Sequence, residues 1–111
     1  MTTCHPPLDM NAMHAAAQEA TALLGNLANP NRLLLLCQLS QGEKSVGELE
    51  ALVGITQPTL SQQLGVLRRS ELVSTRREGK QIVYSVQDPK VLAMLQCLYQ
   101  LFCQPNQADT K

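Results

Sequence analysis

The chain has 111 residues, enough for one small domain, and nine basic residues balance nine acidic ones, so its formal net charge is zero. Hydrophobic residues make up 44% and charged residues 16%, which excludes a charge-rich disordered protein. No apolar run approaches the ~20 residues of a membrane-spanning helix, and the first seven residues lack the pattern of a signal peptide. We therefore expect a cytoplasmic protein with no membrane partner, whose four cysteines are kept as thiols.

Residues 1–9 are predicted to be a flexible lead, because Pro6 and Pro7 oppose helix formation and no apolar period is present. Over residues 10–28, apolar positions recur every three or four residues and predict a helix with one long apolar stripe. The small alanines of this stripe suit a contact between two copies of the chain, although an ordinary core helix fits it equally well. Because small domains often gain stability by forming oligomers, we expect a homodimer.

Start and stop signals predict three more helices. Asn29 and Pro30 begin a second helix, whose run of leucines predicts that it is buried and which ends near residues 41–42. The spacing of Ser45 and Glu48 is that of a capping box, which begins a short third helix. A fourth helix starts at residues 56–58. The third and fourth helices, joined by a tight turn that contains glycine, predict a helix-turn-helix.

Beyond residue 72 the apolar period changes from helical to alternating. Residues 73–77 and 82–86 predict two strands, and the three residues Glu78, Gly79 and Lys80 between them predict a β-hairpin with a short loop.

A last helix begins at Asp88 and Pro89 and ends at Gln104 and Pro105, and residues 105–111 are predicted to be a flexible tail. The predicted fold is therefore mainly α, with the order α-α-α-α-β-β-α over residues 10–104.

The zero net charge conceals an uneven distribution, because residues 68–80 contain five basic residues and only two acidic ones. A basic hairpin next to a helix-turn-helix is typical of a protein that binds duplex DNA. Basic side chains on the hairpin would neutralise phosphates, whereas short polar side chains near the start of the fourth helix suit base edges in the major groove. These polar residues are Thr59, Ser61, Gln62 and Gln63. A solvated helix face is the alternative, and the adjoining turn and basic hairpin favour DNA binding.

Residues 45–49 (SVGEL) and 57–68 (QPTLSQQLGVLR) resemble the winged helix-turn-helix of ArsR-family repressors, and the resemblance extends over about residues 10–103. Within that family the chain resembles the BigR/SqrR group of sulfide- and persulfide-responsive repressors. The resemblance implies a homodimer through the first and last helices that binds operator DNA when reduced. It also implies that DNA is released, and sulfide-detoxification genes derepressed, when two cysteines are linked. The expected DNA-binding residues are Gln57, Thr59, Ser61, Gln62, Gln63, Arg68, Arg76, Arg77 and Lys80.

Many ArsR-family members sense metals, but two of the family's metal-binding patterns lack their ligands in this chain. Where one pattern has Cys-Val-Cys before the recognition helix, the chain has Ser45, Val46 and Gly47. A second pattern uses Asp, His and Glu on the last helix, and residues 91–103 contain none of these. Since zinc and similar ions need three or four convergent ligands, we expect no metal and no other cofactor. A metal-responsive repressor remains the alternative.

Four cysteines remain as candidate sensors. Cys4 lies in the predicted lead, and Cys97 and Cys103 lie about 240° apart around a helix, so these two cannot act together. The BigR/SqrR resemblance implies that the sensing pair is Cys37, in the second helix, and Cys103, near the end of the last. The alternative is that each is a small buried hydrophobic residue.

Two further functions compete with persulfide sensing. The same cysteines could respond to general thiol oxidation, in which case any oxidant would release DNA. A small thiol oxidoreductase would need an activated thiolate, usually from a Cys-X-X-Cys pair, and the sequence has no such pair. We therefore expect a protein that is not an enzyme and has no catalytic residues.

Overall fold

A computed structural model of the chain describes residues 9–103. Residues 1–8 of the predicted lead, which include Cys4, and the predicted tail lie outside the described residues, as does Gln104. The elements are α1 (Met10–Leu27), α2 (Pro30–Leu39), β1 (Lys44–Ser45), α3 (Val46–Val53), α4 (Gln57–Arg69), β2 (Ser74–Glu78), β3 (Gln81–Ser85) and α5 (Pro89–Phe102). The predicted winged helix-turn-helix is thus confirmed. Within the described residues, no helix is long and apolar enough to cross a membrane.

The predicted order of elements needs one correction, because it lacked β1. This two-residue strand pairs antiparallel with β3, with Lys44 opposite Tyr84 and Ser45 opposite Val83. Since β2 pairs with the other edge of β3, the sheet has three strands in the order β1-β3-β2. Two residues are too few to show an alternating pattern, so this strand has no signal in the sequence. It joins the predicted hairpin to the start of α3.

The starts of α2 and α3 are capped as their sequences predict, whereas the side chain of Thr56 at the start of α4 makes no cap hydrogen bond. The Asn29 carboxamide oxygen accepts hydrogen bonds from the backbone N–H groups of Asn31 and Arg32, at 2.9 and 3.1 Å. At α3, the Ser45 hydroxyl accepts from the Glu48 N–H and the Glu48 carboxylate accepts from the Ser45 N–H, which completes the capping box.

Three helix boundaries differ from the sequence prediction, and one of them is the end of α5, which lies at Phe102 and not at the predicted Gln104 and Pro105. Asp9, which we assigned to the flexible lead, caps α1, because its carboxylate accepts a hydrogen bond from the Asn11 N–H at 3.0 Å. The second helix ends at Leu39, before the predicted residues 41–42, and a turn follows it.

The core is formed mainly by leucines of α2 and α4, together with apolar residues of α3, the sheet and α5. Its most deeply buried members are Leu35, Leu36, Leu39, Leu49, Leu60, Leu64, Leu67 and Val91. By contrast, residues 10–22 of α1 are all exposed, whereas Leu23 packs against the core and Leu27 lies in it. In the single chain, the apolar stripe of α1 therefore lies outside the core up to residue 22.

Candidate DNA interface and cysteine pair

The helix-turn-helix is formed by α3, the turn at residues 54–56 and α4. Gly54 ends α3 in the left-handed conformation, with φ 72°, which a residue with a side chain adopts less readily. Buried Ile55 follows it and anchors the turn in the core. Because the leucine stripe of α4 faces inward, the polar residues of this helix are left on its outer and flanking faces. Four of the predicted DNA-binding residues of α4 are exposed, namely Gln57, Ser61, Gln62 and Arg68.

The first turn of α4 carries a chain of polar contacts. The Ser61 hydroxyl donates to the Gln57 side-chain oxygen at 2.9 Å, and the Gln57 amide donates to Glu50 of α3 at 3.5 Å. Thr59 is half-buried and lies on another face of α4, about 160° around the helix from both Gln57 and Ser61. The contacts hold two predicted DNA-binding side chains in defined positions on one exposed face.

Gln63 is placed differently from its neighbour Gln62. Its side-chain oxygen accepts a hydrogen bond of 2.8 Å from Nη1 of Arg32 on α2, and it is half-buried. The structure therefore does not group Gln63 with the exposed side chains of α4. Arg32 was not among the residues that the sequence singled out, because nothing local links two positions 31 residues apart.

The three predicted phosphate-binding residues of the hairpin have two kinds of environment. Arg77 and Lys80 are exposed, and neither forms an ion pair within residues 9–103. Arg76 instead donates from Nε and Nη2 to the two carboxylate oxygens of Glu43, at 3.0 and 3.1 Å. Its Nη1 also lies 3.3 Å from the Glu78 carboxylate. The hydrogen bond from Arg76 lowers the pKa of Glu43, and the two carboxylates raise the pKa of Arg76.

Cys37 and Cys103 lie on two different elements and influence each other electrostatically. Cys37 is half-buried on α2, whereas Cys103 is exposed and follows the last residue of α5, where its N–H donates to the Tyr99 carbonyl. Burial raises the pKa of the Cys37 thiol, and the charge of Cys103 raises this pKa further. That influence requires the two thiols to lie near each other. Cys97 is exposed on α5. Within residues 9–103, no three His, Cys, Asp or Glu residues are grouped as metal ligands.

Comparison with known proteins places this arrangement in a family. The family model "Bacterial regulatory protein, arsR family" matches residues 29–75, from the start of α2 into β2. The Biofilm growth-associated repressor of Agrobacterium fabrum is 50% identical over 111 residues, which cover 96% of this chain and 95% of the relative. The chain belongs to the ArsR family.

Solved structures of ArsR-family relatives agree with this assignment. The crystal structure of the transcriptional repressor BigR from Xylella fastidiosa matches with a TM-score of 0.80 and 50% identity, over 86% of this chain and 98% of that one. The structure of reduced HlyU from Vibrio cholerae matches with a TM-score of 0.79 and 41% identity, over 84% and 98% of the two chains. The ArsR-family fold therefore accounts for nearly all of the described residues.

Proposed function

We propose that this ArsR-family protein is a transcriptional repressor that binds double-stranded operator DNA in its reduced state. It releases the DNA when persulfides or polysulfides link Cys37 to Cys103, and so derepresses genes of sulfide detoxification. The observation that carries this proposal is the electrostatic influence of Cys103, at the end of α5, on the thiol of Cys37, which lies on the helix that packs against α4. The Agrobacterium and Xylella relatives are both named as repressors, which supports the direction of control.

The proposed DNA-binding unit is a homodimer formed through α1 and α5. The apolar stripe of α1 is exposed up to residue 22 in the single chain, and so is the end of α5, where Leu101 and Phe102 are 70% and 79% exposed. Apolar side chains on two long helices are what a stable dimer interface buries. The dimer would set its two α4 helices about 34–36 Å apart, so that each enters the major groove of one half-site.

The proposed DNA contacts divide into residues that read base edges and residues that neutralise phosphates. The exposed side chains of Gln57, Ser61 and Gln62 on α4, together with half-buried Thr59, contact the base edges, while Arg68, Arg77 and Lys80 neutralise phosphates. Arg76 and Gln63 belong to the same predicted set, but each is already engaged with another side chain.

The switch chemistry starts at Cys103, the more exposed thiol. Its thiolate takes the outer sulfur of a donor persulfide (RSSH) and releases a thiol (RSH), and a second donor adds another sulfur in the same way. Cys37 then attacks the sulfur next to Sγ of Cys103 and expels hydrosulfide, which leaves with the Cys37 proton as hydrogen sulfide. One dithiol and two persulfides thus give one trisulfide, two thiols and one hydrogen sulfide. The protein loses two electrons, and one donated sulfur accepts them.

A bridge longer than a disulfide relaxes the geometric demand on the two cysteines. A disulfide needs Cα atoms about 4.4–6.8 Å apart, so two cysteines on separate helices that lie slightly farther apart can form one only with strain. Each inserted sulfur adds up to about 2 Å to the span. Peroxide supplies no sulfur, so it can form only the shorter bridge. We therefore propose that persulfides act on the pair more effectively than peroxide does.

The link would act on DNA binding through α2. This helix packs against α3 and α4, and α5 belongs to the proposed dimer interface. Joining Cys37 to Cys103 fixes the helix-turn-helix relative to the dimer axis. A small rotation of each unit displaces both α4 helices from their half-sites together. Coupling energies of about 1–3 kcal/mol are typical of such switches and correspond to losses of affinity of about 5–150-fold.

The proposal is tested by DNA release at fixed salt. The probe, termed the selected operator, is the duplex that the reduced wild-type protein selects from a randomised library. Treatment with a polysulfide should release this duplex from the wild type and from Cys97→Ser, the matched control. Cys37→Ser and Cys103→Ser should stay bound. Equal release by hydrogen peroxide would instead indicate a general thiol-oxidation switch, and release by a metal ion alone would indicate a metal sensor.

A further inference from the structure

Three helices meet at one arginine side chain. Arg32 lies in the first turn of α2 and is half-buried. Its Nε donates to the Asn26 carbonyl at 2.8 Å, and Nη2 lies 3.4 Å from the Gly25 carbonyl, both in the last turn of α1. Its Nη1 donates to the Gln63 side chain of α4 at 2.8 Å. One guanidinium therefore joins the proposed interface helix to the proposed recognition helix.

The contacts at α1 have a clear physical basis. The last four carbonyls of a helix lack partners within the helix and carry partial negative charge. The last turn of α1 has no basic residue of its own. Arg32 therefore supplies from α2 the cation that this helix end lacks, and the rigid fork of the guanidinium leaves Nη1 directed to α4.

A second contact joins α1 to α4. The Asn26 side-chain oxygen accepts a hydrogen bond of 3.1 Å from the hydroxyl of Ser70, the residue that caps the end of α4. The Asn26 amide donates to the Ala22 carbonyl at 3.0 Å, which fixes the orientation of the Asn26 side chain. The end of α1 thus holds α4 near its middle, through Gln63, and at its C-terminal end, through Ser70.

We propose that Arg32 and Gln63 form a strut that positions α4 for DNA binding, and that Gln63 is a positioning residue with no contact to a base edge. The inference rests on the proposed DNA-binding function and is independent of the thiol switch. Gln63 is half-buried, and its side-chain oxygen already accepts a hydrogen bond from Arg32, whereas its sequence neighbour Gln62 is exposed. Loss of the strut leaves α4 free to shift, so recognition weakens across the whole half-site.

A double-mutant cycle in the reduced protein tests the strut. The variants are Gln63→Ala, Arg32→Lys and the double variant, measured on the selected operator and on a scrambled duplex of equal length. Lys keeps a cation beside the carbonyls of α1, but as a point charge it cannot also hold Gln63 in the fork geometry. We expect each single variant to bind the selected operator about tenfold more weakly and the double variant to be no weaker than either. Binding to the scrambled duplex should change little.

Gln62→Ala is the matched control, because it removes the same side chain from an exposed position. A panel of operators with single base-pair changes should show lost discrimination at one position for Gln62→Ala and across the half-site for Gln63→Ala. This panel decides the matter even if Arg32→Lys is poorly folded.

Two results would overturn the strut while leaving the proposed function intact. One is a double variant whose loss is the product of the two single losses, and the other is a Gln63→Ala loss confined to one base pair. A wild-type protein that selects no duplex would refute the proposed function as well as the strut. A wild type that selects DNA but ignores polysulfide would refute only the switch.

Discussion

Releasing Arg76 from Glu43 should make DNA binding more sensitive to salt. The Arg76 guanidinium, on the β2–β3 hairpin that we call the wing, donates two hydrogen bonds to Glu43 and lies 3.3 Å from Glu78, so these two carboxylates already compensate its charge. Arg77 and Lys80 have no such partner within residues 9–103. We therefore expect Arg77 and Lys80 to neutralise phosphates in the wild type, and Arg76 to do so only when Glu43 is changed to Gln.

The magnitude follows from the number of phosphates that the dimer contacts. Each phosphate neutralised contributes about 0.9 to the slope of log affinity against log salt concentration. Glu43→Gln removes the doubly hydrogen-bonded partner of Arg76 in each of two hairpins and leaves only Glu78 beside it, so the slope should steepen by up to about 1.8. A fourfold increase in salt should then weaken binding by this variant by up to about twelvefold more than binding by the wild type. Arg77→Ala should flatten the slope by about 1.8, whereas Arg76→Ala should leave it unchanged.

Fluorescence anisotropy with the labelled selected operator, at four or more salt concentrations, measures these slopes directly. Glu19→Gln is the matched control, because it makes the same change in net charge. It breaks an exposed ion pair between Glu19 of α1 and Lys90 of α5, neither of which belongs to the hairpin. Its slope should equal that of the wild type. The assigned roles are wrong if Arg76→Ala flattens the slope as much as Arg77→Ala, since DNA would then displace Glu43. An unchanged slope for Glu43→Gln would also contradict them.

Three other predictions follow from the cap, the thiols and the exposed helix ends. Ser45→Ala removes half of the capping box and should lower the free energy of unfolding by about 1 kcal/mol, measured by urea titration. Since burial and the charge of Cys103 both raise the pKa of Cys37, alkylation of Cys37 should rise with pH to an inflection above that of a free thiol. Cys103→Ser should move this inflection only part of the way down, because burial is the larger cause; full return to a free-thiol value would contradict this order of causes. Phe102→Asp should convert the dimer to folded monomers in sedimentation, whereas Gln87→Asp, in the loop before α5, should not; a wild-type monomer at micromolar concentration would rule out the dimer.

Local signals allowed most of the fold to be predicted from the sequence. A cap such as Asn29, or the box of Ser45 and Glu48, works through atoms two or three residues apart, so its pattern is visible in the chain. The cap at Asp9 was not predicted, because Pro6 and Pro7, shortly before it, oppose helix formation and indicate an irregular segment. β1 could not be predicted, because it exists only through its pairing with β3, about 40 residues later.

The candidate site was less predictable, because its decisive contacts are long-range. Charge alone grouped Arg76 with Arg77, and only the fold shows that Glu43, 33 residues earlier, engages Arg76. In the same way, residue type grouped Gln63 with Gln62, although Arg32 accounts for the side chain of Gln63. Composition can identify a basic wing and a polar helix face, whereas the partners of each side chain depend on tertiary packing.

The most direct test of the switch is the intact mass of the protein, measured together with its affinity for the selected operator. After polysulfide treatment of Cys97→Ser, each monomer should gain one or two sulfur atoms, lose two hydrogens and lose its affinity for DNA. Peptide mapping should place the added sulfur between Cys37 and Cys103, and dithiothreitol should restore both the mass and the binding. DNA release with no added sulfur, or a linked protein that still binds the operator, would contradict the proposed switch.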